Sequence, residues 1–193
     1  MRARVAIGTT CDAGWLLGLL AGKGVPDGLV VDTDLRWLVV RRAAALGALG
    51  EDEIAAELAA DPTASGELQA TSARAALPSE AGKLQCWERM IGGQASNAQV
   101  RAIGGGFWQR GQEDLLSPYV DRYLDALPAV WETSSPQIAA SITGNGFPAT
   151  LIRQDVAERV GAFLERGDLP AGLRRVVLEL DDDLRRALRA QSA

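Results

Sequence analysis

Apolar residues recur every three or four positions along most of this chain and almost nowhere alternate, which predicts helices and argues against strands. Leu35, Leu38, Val39 and Leu46 fall on one stripe, with Asp32 placed to cap its start and Gly47 to end it. Ile54 and Leu58 mark a short helix that Asp61-Pro62 stops, because proline has no N–H and disfavours a helical residue before it. Thr63 caps an alanine-rich helix that ends at Leu77-Pro78. Ser79 caps the next, whose stripe is Leu84, Trp87 and Ile91 and whose end is Gly92-Gly93. Val100, Ile103 and Phe107 form another, weakened at its end by Gly104-Gly105-Gly106, since each helical glycine costs up to about 1 kcal/mol against alanine.

Ser117-Pro118 and Ser135-Pro136 each read as an N-cap followed by a first-turn proline. Behind the first, Tyr119, Val120, Tyr123, Leu124 and Leu127 share a face; behind the second, Ile138 and Ile142 lead to Gly144-Asn145-Gly146. Val156, Val160, Phe163 and Leu164 end at Gly167, and Pro170 opens a last helix with the stripe Leu173, Val176, Val177, Leu180, Leu184, Ala187 and Leu188. Candidate helix pairs begin near Asp12, Glu51, Ser79, Pro118 and Gln154, at steps of roughly 28 to 39 residues, which is the range of helical-pair repeats. The pattern predicts an all-α fold, a curved array of antiparallel helix pairs (a HEAT/armadillo-like α-superhelix) in which each unit buries its neighbour's apolar face. A single helical-repeat domain over residues 1–193 follows from the length.

Composition narrows the function classes. The net charge is -5, which is the wrong sign for a phosphate-backbone binder, so no nucleic-acid partner is expected. Arg174-Arg175 and Arg185-Arg186 sit beside Glu179 and Asp181-Asp182-Asp183, as on a solvated, salt-bridged helix face. No apolar run reaches the roughly 18 to 20 residues of a membrane span. The start, Met1-Arg2-Ala3-Arg4, only faintly resembles a secretory leader, and two cysteines, Cys11 and Cys86, make no disulfide framework, so a reducing cytoplasm is the expected setting.

The chain contains no histidine. That removes any His-Glu-x-x-His site and any Cys-His pair, and no metal centre, cofactor or catalytic residue is assigned. The three glycines at 104–106 precede no lysine and read as a helix end with close backbone packing rather than a phosphate cradle. The candidate binding residues are aromatic and polar: Arg36, Trp37, Trp87, Trp108, Gln109, Tyr119, Tyr123 and Trp131. Trp108 begins a polar run after the glycines, so its flat ring beside polar groups suits a binding surface. Trp37 is flanked by Arg36 and Arg41, and an arginine there has the forked donors that hold a peptide carboxylate; the competing reading is a salt bridge to Asp34 or Glu51.

Val31-Asp32-Thr33-Asp34-Leu35-Arg36-Trp37, the stretch from Ala56 to Glu67, and Gly106-Phe107-Trp108-Gln109 through Leu115-Leu116-Ser117-Pro118-Tyr119-Val120 resemble the C-terminal region of actinobacterial aminopeptidase N. Trp131-Glu132, Phe147-Pro148-Ala149-Thr150-Leu151 and Leu173-Arg174-Arg175-Val176-Val177-Leu178-Glu179 continue the likeness, which runs over nearly the whole chain. The resemblance implies an endoplasmic-reticulum-aminopeptidase-like helical domain, a bowl of helix pairs that closes over a separate zinc peptidase domain and holds the substrate peptide. The zinc ligands and the Gly-x-Met-Glu-Asn motif of that family have no counterpart here, so no catalytic residue carries over.

Two functions follow. One is a non-catalytic module serving as peptide-chamber wall or protein-interaction scaffold, with an aminopeptidase catalytic domain or a peptide as partner. Its apolar N-terminal segment, Trp15-Leu16-Leu17-Gly18-Leu19-Leu20, would then be a face that meets a neighbour or forms a homodimer. The other is a free-standing, repurposed domain that binds or transforms a small apolar ligand in a biosynthetic pathway. Without histidine, its acid–base work would fall to Asp34, Glu88, Glu132, Tyr119 or Tyr123.

Overall fold

The computed structural model describes residues 12–191, and every regular element among them is a helix. Cys11 and the leader-like N-terminus lie outside the described residues. Eleven helices follow in order: α1 (Ala13–Leu20), α2 (Thr33–Ala45), α3 (Glu51–Ala60), α4 (Ala64–Ala76), α5 (Glu80–Ile91), α6 (Asn97–Phe107), α7 (Glu113–Leu116), α8 (Pro118–Thr133), α9 (Pro136–Gly146), α10 (Gln154–Leu164) and α11 (Ala171–Gln191). They divide into two compact units, Met1–Cys86 and Trp87–Ala193.

In the first unit, α1 packs on α2, α2 on α4, and α3 on α4. The caps are those the sequence predicts. Asp32 accepts from the backbone N–H of Leu35 at 2.8 Å, and Thr63 Oγ1 from that of Gly66 at 3.0 Å, each satisfying an otherwise unpaired first-turn donor. Gly47 ends α2 at φ 70°, a left-handed conformation that suits a residue without Cβ. Two core clusters stand out among the described residues. Leu16, Leu19, Leu35, Val39 and Ala43 form one; Trp37, Val40, Ala44, Ile54, Ala70 and Ala73 form the other.

In the second unit, α9 packs on α6, α8 and α11, while α10 packs on α8 and α11. Ser135 caps α9 by accepting from Ile138 N–H, as predicted. Ser117 does not cap α8. Its backbone is itself helical (φ -53°, ψ -41°), because the short α7 runs straight into α8, so its hydroxyl has no first-turn N–H to take. The α8 helix also outruns the stripe that ends at Leu127: it continues through Pro128 to Thr133.

Two further expectations are corrected. The buried face of α5 is not Leu84, Trp87 and Ile91; Leu84 is 41% exposed, and the buried positions are Lys83, Trp87 and Met90. A lysine holds the position that an apolar count skips. On α11, Asp181 is buried rather than solvated, with its Oδ2 accepting from Arg185 Nε at 2.7 Å. Arg174 is likewise no part of a salt-bridged face: its guanidinium donates to the carbonyls of Leu164 and Arg166, capping the end of α10.

Candidate functional site

The sequence-predicted residues fall into a pair in the first unit and a cluster in the second. Arg36 lies on α2 with its fork closed on Glu57 of α3: Nε donates to Oε1 and Nη2 to Oε2, both at 2.7 Å. Its Nη1 donates to the Leu20 carbonyl at 3.1 Å, at the end of α1. The hydrogen bonds to Glu57 push the guanidinium pKa further up. The carboxylate that Arg36 holds is therefore one of this chain's own, and it is Glu57 rather than Asp34 or Glu51; Glu51 pairs instead with Arg74 at 2.6 Å.

Trp37 is 1% exposed, and its indole N–H donates to Asp61 Oδ2 at 2.9 Å. Asp61 Oδ1 accepts from Thr63 Oγ1 at 2.9 Å. Asp61 thus follows the last turn of α3 while its carboxylate ties the cap of α4 to a core tryptophan of α2. Replacing it strands a buried N–H, and we expect Asp61→Ala to cost about 2 kcal/mol. Chemical denaturation checks this, and a variant within experimental error of the parent would show that Trp37 finds another acceptor.

In the second unit, Trp87, Trp108 and Tyr119 pack around Phe107. Phe107 meets Tyr119 at 5.0 Å and Trp108 at 5.2 Å between ring centroids, both edge to face, and Trp87 meets Tyr119 at 5.6 Å. Tyr123 packs edge-on against Phe147 at 6.0 Å. Such pairs add about 0.5–1.5 kcal/mol beyond the area that they bury. Trp87, Trp108, Tyr119 and Tyr123 are all buried, while Trp131 and Gln109 are half-buried.

The polar ends of Trp108, Tyr123 and Trp131 converge on one place, the last turn of α9. Trp108 Nε1 donates to the Gly146 carbonyl at 2.9 Å and the Tyr123 hydroxyl to the Thr143 carbonyl at 2.7 Å. Trp131 Nε1 donates to Thr143 Oγ1 at 2.9 Å. The last four carbonyls of a helix have no intrahelical donor, so buried aromatic N–H and O–H groups that reach them satisfy both sides at once. Gln109 does the same for α6, its Nε2 donating to the Gly106 carbonyl at 2.9 Å. Burial pushes the Tyr123 hydroxyl pKa far up, so it remains a donor at ordinary pH.

A concave feature that the sequence did not single out lies in the same unit. Glu88, Arg89, Gly92, Gln94 and Gln99 line a cavity of about 560 Å³. A second, of about 440 Å³, is lined by Ile91, Gly92, Gly93, Thr133, Ser134, Ser135 and Ile138. Gly92 borders both, which places the two cavities side by side at the α5–α6 turn, the second reaching the α8–α9 turn. Only Glu88 of their lining was a sequence candidate. The others escape notice because a cavity built from turns of distant segments has no local pattern.

Among the described residues, no group of three His, Cys, Asp or Glu side chains is placed to hold a metal ion. No described helix is long and apolar enough to cross a membrane.

Residues 4–186 match the ERAP1-like C-terminal domain. Over 176 residues the chain is 44% identical to Aminopeptidase N of Streptomyces lividans; the aligned stretch is 91% of this chain and 20% of that protein. The chain thus spans about one fifth of the length of the curated relative it matches. With an all-helical fold and a match across nearly its whole length, this chain belongs to the family of ERAP1-like C-terminal domains.

Proposed function

We propose that the chain serves as the non-catalytic C-terminal helical module of an aminopeptidase N-like protein. In this reading a curved array of helix pairs docks on an aminopeptidase catalytic domain and either lines its peptide chamber or acts as a protein-interaction scaffold. The observation that carries the reading is the lopsided match: 91% of this chain aligns with only 20% of an aminopeptidase N. Sequence chemistry supports it, since a chain without histidine lacks the imidazole ligands of a His-Glu-x-x-His zinc site. The net charge of -5 favours a peptide or protein partner over nucleic acid.

The small-molecule reading has less support. Tyr119 and Tyr123 are packed on other rings, Tyr123 donates to a helix carbonyl, and Asp34, Glu88 and Glu132 are exposed.

The test is to add the purified chain to an aminopeptidase N from which its own C-terminal domain has been deleted. We expect binding, restored peptide cleavage in the mixture, and no cleavage by the chain alone with or without added zinc. Zinc-dependent cleavage by the chain alone would overturn the non-catalytic assignment. A chain that neither binds the truncated enzyme nor restores it would overturn the docking role.

A further inference from the structure

Asn145 precedes Gly146, the neighbour that least hinders attack of its own backbone nitrogen on an asparagine carboxamide. In that reaction a bond forms between Gly146 N and Asn145 Cγ, the Cγ–Nδ2 bond breaks, and ammonia leaves with the proton from Gly146 N. Water then opens the cyclic imide to aspartate or isoaspartate. An extended asparagine allows the approach; a helical one directs its side chain outward and the following N–H back along the helix axis.

Here both residues lie in the last turn of α9, where helices ordinarily fray. This end is pinned instead. Trp108 holds the Gly146 carbonyl and Tyr123 the Thr143 carbonyl, at 2.9 and 2.7 Å. The Asn145 carboxamide is itself engaged, Nδ2 donating to the Ser141 carbonyl at 2.7 Å and lying 3.4 Å from Ser141 Oγ. We propose that Asn145 is a covalent modification site, a deamidation site gated by the Trp108 and Tyr123 bonds that hold the end of α9. Release of those bonds frees the backbone to cyclise. The product then resists re-docking: a carboxylate at 145 cannot donate to the Ser141 carbonyl and adds negative charge at the negative end of a helix dipole.

The experiment incubates the chain at mildly alkaline pH with and without urea and follows deamidation of the Asn145 peptide by mass spectrometry. Trp108→Phe, which keeps a ring but removes the donor, is run beside it after its helical content is verified. The folded parent should react slower than the urea-unfolded chain by about tenfold or more, as a gate set by local opening requires. Folded Trp108→Phe should react faster than the folded parent. In a second measurement, Asn145→Asp should unfold at lower urea than the parent. Equal rates in the folded and unfolded parent would overturn the proposal, as would a folded Trp108→Phe that reacts no faster than the parent.

Discussion

Gly104→Ala will destabilise the second unit by about 3 kcal/mol, whereas Gly144→Ala, on the helix packed against it, will stabilise it by up to about 1 kcal/mol. Helix propensity alone predicts the same gain at both sites, because each glycine lies inside a helix and alanine is the better helix former. Space separates them. A Cβ on Gly104 would stand 2.2 Å from the Asn145 carbonyl oxygen and 2.8 Å from both its carbonyl carbon and its Cβ. Those are mainly backbone atoms, so no side chain can rotate away, and α6 and α9 must part. Parting them strains the Trp108 bond to Gly146, since Trp108 immediately follows α6. A Cβ on Gly144 meets nothing within 4 Å. Urea midpoints of the two variants against the parent decide the matter. A stabilised Gly104→Ala would mean that the α6–α9 seam is far looser than the geometry shows.

The sequence reading of Gly104-Gly105-Gly106 as close backbone packing is therefore right in kind, and the structure supplies the partner. Much of the rest divides along the same line. Caps at Asp32, Thr63 and Ser135 are local, with donor and acceptor within three residues, so the chain declares them. The helical stripes are local too. What escaped was set by tertiary partners. Arg36 was placed against Asp34 or Glu51, yet its carboxylate is Glu57, 21 residues on. Trp108 and Tyr123 were read as binding candidates, and their polar atoms reach helix-end carbonyls 38 and 20 residues away. Nothing in a tryptophan's neighbours announces that its N–H will cap another helix. Ser117-Pro118 carried the right cap chemistry and failed because a short helix precedes it. The resemblance to aminopeptidase N found the family, but a family likeness without chemical motifs transfers no site residue, and the cavities at Gly92 had to come from the fold.

Lys83→Met will flatten the rise in stability that the parent shows between about pH 7 and pH 10. Lys83 is fully buried on α5, with Nζ donating to the Ala75 carbonyl at 2.6 Å in the last turn of α4. Burial drives its pKa from the usual 10.5 down to about 7, only partly opposed by Cys86. The unfolded chain therefore binds a proton across this interval that the folded chain has released. Stability must then increase with pH from about 7 and level off near 10.5, the reverse of a lysine stabilised by an ion pair. A gap of that size is on the order of 5 kcal/mol, an upper bound on the rise. Tyr123 acts in the opposite sense above pH 10: its folded pKa is raised, so the unfolded chain ionises first and stability falls. The joint contribution of these two groups is accordingly greatest near pH 10. Methionine preserves the apolar stem, removes the titration and leaves the Ala75 carbonyl without this donor, at about 1 kcal/mol. At pH 7 the two effects oppose each other, and at pH 10 only the loss of the donor remains. Urea midpoints at pH 7, 8, 9 and 10 read out the slope, and parallel profiles for parent and variant would show that Lys83 keeps its proton at the end of α4 throughout.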